Sequence, residues 1–136
     1  AVHDLACSPD SGRVWLTSAT GPDVTLFNRF DYGVVFRVAV GPPPQHVVLD
    51  GRYAYLTSGY GRVIEQVDAS TGRILHRAAT PYGSFELAAD SRYVVTSSLL
   101  RGTLAIYSPS LEPLRVVHLA PATREVALSS PAGSPP

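Results

Sequence analysis

The sequence contains no methionine and no lysine, so all eleven of its basic residues are arginine, and it carries one cysteine and one tryptophan. Without an initiator methionine the chain reads as a processed product or an excerpt. A single cysteine excludes an internal disulfide framework, and the apolar neighbours Leu5 and Ala6 predict a small buried thiol at Cys7. An excess of either charge is missing as well. Eleven acidic residues balance the eleven arginines and no basic run occurs, so the electrostatic footprint of a nucleic-acid or anionic-membrane partner is absent. No apolar run approaches the roughly 18 to 20 residues that cross a bilayer, and no basic-then-apolar leader precedes Ala1. A soluble chain with no membrane span is expected. Helical periodicity is absent throughout. What remains, 136 residues with 45% hydrophobic content, fits one globular body with enough apolar surface for a core.

A repeat organises that body. "WLTS" at Trp15 to Ser18, "YLTS" at Tyr55 to Ser58 and "VVTS" at Val94 to Ser97 start 40 and then 39 residues apart. Upstream of each lies a turn with an aspartate and an arginine: Asp10 to Arg13, Asp50 to Arg52, Asp90 to Arg92. Before each turn stands a short apolar strand, Leu5 to Cys7, Val47 to Leu49 and Leu87 to Ala89, and Val126 to Leu128 is a further, unaccompanied copy. Downstream come the alternating strands Val24 to Asn28, Ile64 to Asp68 and Leu104 to Ser108. A fourth apolar run then leads to a proline: Pro42, Pro81 or Pro121. Four short strands in about 40 residues is the repeat length and strand count of a propeller blade. The expected fold is therefore all-β, a partial β-propeller of about three four-stranded antiparallel blades, residues 2–44, 45–83 and 84–123, plus one strand of a fourth. Residues 1–128 form the propeller segment, and 129–136, rich in serine and proline, form a disordered tail. Trp15, Tyr55 and Val94 are expected to pack between blades, and Leu5, Val24, Val48, Ile64, Leu87 and Leu104 to be buried.

The middle unit, "LDGRYAYLTS" followed by "VIEQVDASTGRIL", resembles the YVTN β-propeller repeats, with their Asp-Gly turn, Tyr-Val-Thr-Asn-like strand and Thr-Gly-Lys-like turn. The first unit keeps "SPDSGRVWLTS" without the Thr-Gly turn, and the third keeps "ADSRYVVTSS" but has Ser108 to Pro113 in that place. The resemblance covers residues 2 to 128. It implies a scaffold that serves binding proteins, surface proteins and a minority of enzymes, in an extracytoplasmic setting. The Gly-His and Trp-Asp marks of WD repeats are absent. A propeller closes with typically four to eight blades, so the remaining blades of a longer chain, or a second copy, are needed for closure.

The strand that opens each blade lines the central channel, and an ionisable residue precedes each apolar triplet: Asp4, His46, Glu86 and Glu125. Blade equivalence places these four at one height around the channel mouth. Such a ring is either a solvated polar mouth, a ligand or cation site, or a place for acid-base chemistry. His3 adjoins it, but its counterparts Gln45 and Phe85 are not metal ligands, and no cysteine-pair or His-x-x-x-His spacing supports zinc. His76 and His118 fall on outermost strands and read as surface residues. Ser8 with Asp10 lacks the nucleophile turn, and "GYGR" at Gly59 to Arg62 lacks the setting of a phosphate loop. Gly41 to Pro44 reads as a stiff connector between blades. No haem motif or metal cluster is present, so no cofactor is expected. Two functions remain: a non-enzymatic scaffold or binding module presenting loops or a channel mouth to a protein, glycan or small ligand, and a channel-sited hydrolase or lyase of the lactonase-like type.

Overall fold

A computed structural model describes residues 1–10, 12–43, 45–120 and 125–129. Among the described residues, twelve strands form three four-stranded antiparallel sheets, each in simple sequence order. Blade 1 holds β1 (Val2–Cys7), β2 (Arg13–Ser18), β3 (Asp23–Asn28) and β4 (Val34–Ala39). Blade 2 holds β5 (Gln45–Asp50), β6 (Tyr53–Ser58), β7 (Val63–Asp68) and β8 (Ile74–Ala79), and blade 3 holds β9 (Ser84–Ala89), β10 (Val94–Ser98), β11 (Thr103–Tyr107) and β12 (Pro113–His118). The opening strands β1, β5 and β9 lie side by side, as the inner strands of a partial β-propeller do. No described helix is long and apolar enough to cross a membrane.

Local chemistry sets the turns. Asp10 accepts from the Gly12 N–H at 3.0 Å, and Asp90 accepts from Arg92 N–H at 2.8 Å and Tyr93 N–H at 2.9 Å, while Gly51 makes the middle turn with φ of +57°. The outer turn keeps one left-handed position in all three blades. Gly72 holds it in blade 2 (φ +75°), Tyr32 in blade 1 (+58°) and Leu111 in blade 3 (+65°). Glycine takes that conformation freely, whereas a side chain there costs about 1 kcal/mol. Loss of the Thr-Gly sequence in two units therefore leaves the turn in place but strained.

Because a sheet between two others buries both faces, each interface has its own core. Between blades 1 and 2, Trp15, Val24, Leu26 and Val38 meet Val47, Ala54, Leu56 and Val67, with the Phe36 ring edge-on to Trp15 at 5.6 Å. Between blades 2 and 3, Tyr55 and Ile64 meet Val94, Ala105, Tyr107 and Leu111. Each large apolar side chain so buried contributes roughly 1.5 to 3 kcal/mol. Their polar ends are satisfied: the Tyr55 hydroxyl donates to the Pro109 carbonyl at 2.6 Å and the Tyr107 hydroxyl to that of Ala79 at 2.6 Å. Burial pushes the Tyr107 phenol up to about 12.

The strand register explains the paired hydroxyls. Thr17 accepts from the Asp4 N–H at 2.9 Å and donates to the Gln45 carbonyl of blade 2 at 2.8 Å. Thr57 makes the same bond to the Phe85 carbonyl of blade 3. The serine that follows closes the next hairpin, Ser18 accepting from Gly21 N–H at 2.7 Å, Ser58 from Gly61 N–H at 3.3 Å and Ser98 from Arg101 N–H at 3.0 Å. The repeat is thus 40 residues at both steps. Trp15, Tyr55 and Val95 pair with Leu26, Gln66 and Ile106, so the third mark is Val95 to Ser98, one residue beyond the Val94 start read from the sequence. Val94 is buried, but it is the counterpart of Ala54 and faces back toward blade 2. Thr96 replaces Leu56 there, and its hydroxyl in the same pattern misled the alignment.

Other expectations divide by face. Val24 and Ile64 are fully buried, and Val48, Leu87 and Leu104 half-buried. Leu5 is not buried: it is 57% exposed, against 7% for its blade 2 counterpart Val47. Among the described residues no blade packs on the outer face of blade 1, so Leu5 lies on an uncovered face with half-buried Val14, Leu16 and Phe27. Cys7 shares that face and is exposed, which corrects the buried thiol. Residues 125–129 are not a strand, because strand bonding needs a second strand beside them and no described segment supplies one. Arg92 nonetheless donates to the Ser129 carbonyl at 3.2 Å. Pro44, Pro121 and the tail beyond Ser129 lie outside the described residues.

Two measurements probe this core. Thr57→Val should lower the unfolding free energy by about 0.5 to 1.5 kcal/mol in urea titrations, since it removes the partner of the half-buried Phe85 carbonyl; a loss no larger than that of an exposed control such as Thr71→Val would contradict the role of the blade link. The second concerns Glu65, 2% exposed between blades 1 and 2 and paired with Arg77 at 3.1 Å. Burial pushes its carboxyl up, and Arg77 offsets this only in part. With a raised folded value, its stabilising contribution is complete below the unfolded value of about 4.3 and is lost as pH rises through the folded value. The stability of the native chain relative to Glu65→Gln should therefore decline with rising pH over that window, and a difference independent of pH would overturn the assignment.

Candidate functional site

The site follows from the side-by-side inner strands. Asp4, His46 and Glu86 sit at one level of β1, β5 and β9, level with Thr17, Thr57 and Ser97 of the second strands. Their side chains converge. His46 Nδ1 lies 3.6 Å from Asp4 Oδ2 and 3.3 Å from Glu86 Oε1. Glu125, the fourth residue expected in the ring, is exposed, and among the described residues no hydrogen bond or ion pair joins it to the others.

Asp4 is also a clasp between blades. Its Oδ2 accepts from the Val47 N–H at 3.1 Å and its Oδ1 from the Leu5 N–H at 2.8 Å. Burial raises the carboxyl, but the bond from His46 and these two backbone N–H groups outweigh it and hold Asp4 below the usual carboxylate range. The other face of the imidazole meets His3, with the two Nε2 atoms 3.1 Å apart and the rings edge-on at 4.7 Å. Carboxylates at Nδ1 favour the proton there, which leaves Nε2 to accept from His3. Burial, then the nearness of His46, lowers the His3 imidazole, and Asp4 and Glu86 oppose this in part.

Beside the ring is a cleft of about 220 Å³ lined by His3, His46, Tyr60, Phe85, Glu86 and Ser97. Tyr60 and Phe85 stand edge-on at 5.2 Å, and Phe85 lies 6.1 Å from His46. Gly59 makes room for that aromatic wall, since a Cβ there would come within 2.2 Å of the Phe85 ring. Gly59, Tyr60 and Phe85 were not singled out for the site by the sequence, where "GYGR" reads as a turn. Nor did repeat equivalence pick out His3, because its counterparts are Gln45 and Phe85; its signal was adjacency to Asp4. His76 and His118 are exposed on the outer strands β8 and β12. Among the described residues, no group of three or more His, Cys, Asp or Glu is arranged to hold a metal ion.

Comparison with known proteins leaves the family open and defines the fold. No family model matches the chain, and no curated protein does. Solved structures do. Hydrazine synthase of Kuenenia stuttgartiensis is similar with a TM-score of 0.80 at 14% identity, over 90% of this chain and 37% of that one. The computationally designed protein Ika8 gives 0.81 at 15%, over 96% of this chain and 40% of that one, and the designed protein Ika4 gives 0.81 at 16%, over 96% and 80%. The chain thus spans about two fifths of the length of the first two. At such identities the likeness shows the fold alone, a partial β-propeller.

Proposed function

We propose that this chain is a YVTN-type β-propeller segment acting as a non-enzymatic binding module, with the channel mouth as its ligand site. The observation that carries this reading is the convergence of Asp4, His46 and Glu86 from three successive inner strands beside an open cleft. Convergence of polar groups in a concavity is what fixes the orientation of a small ligand. The hydrolase or lyase reading is weaker. A general base needs a free nitrogen facing its substrate, and both nitrogens of His46 already have partners. The extracytoplasmic setting rests on the repeat resemblance.

Closure by further blades or by a second copy is part of the proposal, because the apolar face around Leu5, Val14, Leu16 and Phe27 corresponds to faces that are buried in blades 2 and 3.

A ligand-observed NMR screen of small polar fragments should return hits that disappear with His46→Ala and persist with Arg115→Ala, which alters an exposed outer strand. Hits insensitive to His46, or a screen without hits, would refute the mouth as the site. The Cys7 thiol reports on closure. It should react with a thiol reagent as an exposed group at micromolar protein, and its labelling should slow if raising the concentration brings a second copy onto the blade 1 face; unchanged rates up to near-millimolar chain would exclude that copy and leave closure to further blades.

A further inference from the structure

The cleft has an unused hydroxyl. In blades 1 and 2 the first hydroxyl of the pair donates to the inner strand of the following blade, Thr17 to the Gln45 carbonyl and Thr57 to that of Phe85. Ser97 is their counterpart in blade 3, opposite Glu86 as Thr57 is opposite His46. It is 1% exposed, its Oγ has no hydrogen-bond partner among the described residues, and it lines the mouth cleft. An unpaired buried hydroxyl destabilises the fold, and a polar group entering the cleft would recover part of this.

The surroundings say what that group is. One carboxylate, that of Glu86, lines the cleft, with Asp4 next to it across His46; no arginine lines it, and its two imidazoles face each other and the carboxylates. Tyr60 and Phe85 supply aromatic surface next to the Glu86 carboxylate. Carboxylates with aromatic walls attract a cation both by charge and through the negative ring faces. The volume equals the liquid share of about seven waters, enough for a single-ring molecule.

We propose that the channel-mouth cleft binds a small organic ammonium ion carrying one ring, its nitrogen donating to Glu86 and Ser97 Oγ and its ring lying against Tyr60 and Phe85. The inference rests on reading the chain as a binding module and adds the chemical class of its ligand.

Calorimetric titration of the chain with benzylammonium, benzyl alcohol and benzoate separates the two. Benzylammonium should bind saturably and about tenfold more tightly than benzyl alcohol, the equivalent of roughly 1.4 kcal/mol, and benzoate should not bind. Glu86→Gln should bring benzylammonium to the level of the alcohol. Ser97→Ala should weaken it severalfold while leaving the thermal midpoint unchanged or raised, because the hydroxyl bonds nothing among the described residues. Benzoate binding as tightly as the ammonium ion, or an ammonium affinity indifferent to Glu86→Gln, would overturn the ligand class and leave a mouth site standing. Absence of saturable binding by all three, in a chain whose circular dichroism shows intact sheet, would overturn the ammonium proposal, and the binding-module reading would then be judged by the fragment screen alone.

Discussion

Everything in this molecule depends on the two-faced blade. A four-stranded sheet with apolar side chains on both sides cannot stand alone in water, so each blade is stable only as the filling between two others. Blade 2 satisfies that demand on both faces, which is why Tyr55, Ile64, Leu56 and Val67 are all at most 1% exposed. A threonine link recurs at each interface, beside the Asp4 clasp and the Tyr55 and Tyr107 hydroxyl bonds, and helps fix how the sheets are set. The threonine hydroxyl reaching the next inner strand, Thr17 to Gln45 and Thr57 to Phe85, makes height along the axis a discrete choice. Without it, apolar faces alone would tolerate sliding.

That fixed height creates the site. Asp4, His46 and Glu86 come together because each occupies the same place on its own inner strand, and the clasp from Asp4 to the Val47 N–H belongs to the same linkage. The residues that converge at the mouth thus also join the blades. Asp4 is held below the usual carboxylate range by bonds that include those joining the blades, so the carboxylate at the mouth is one that the fold has positioned. The aromatic wall depends on a glycine in an equally economical way, with Phe85 lying where a Gly59 side chain would be.

Much of this was legible in the sequence because repetition multiplies weak signals. A lone "YLTS" means little, but three in phase with turns and alternating strands define a blade. The third mark was misread by one residue, since Val94-Val-Thr-Ser97 and Val95-Thr-Ser-Ser98 match the pattern almost equally and only the strand pairing separates them. Leu5 and Cys7 were misjudged for another reason. Their alternation correctly identifies an inner strand, yet alternation cannot say whether the face it defines has a neighbour. The ring was visible for Asp4, His46 and Glu86, whose places are set by blade equivalence. His3 and Tyr60 escaped because their contribution comes from contacts across blades, and no spacing within a unit records those.

The position of the threonine links along each sheet has a mechanical consequence. They lie at the inner strands, whereas Trp15, Phe36, Ile64 and Tyr107 fill the interfaces farther from the axis. Two plates joined near one edge move as leaves on a pivot. A force that separates blades at the rim must part the apolar contacts and, between blades 2 and 3, the Tyr55 and Tyr107 hydroxyl bonds first, and the axial hydrogen bonds, acting as the hinge pin, give way last. The mouth, which sits beside that pin, is then the region least displaced when the blades breathe.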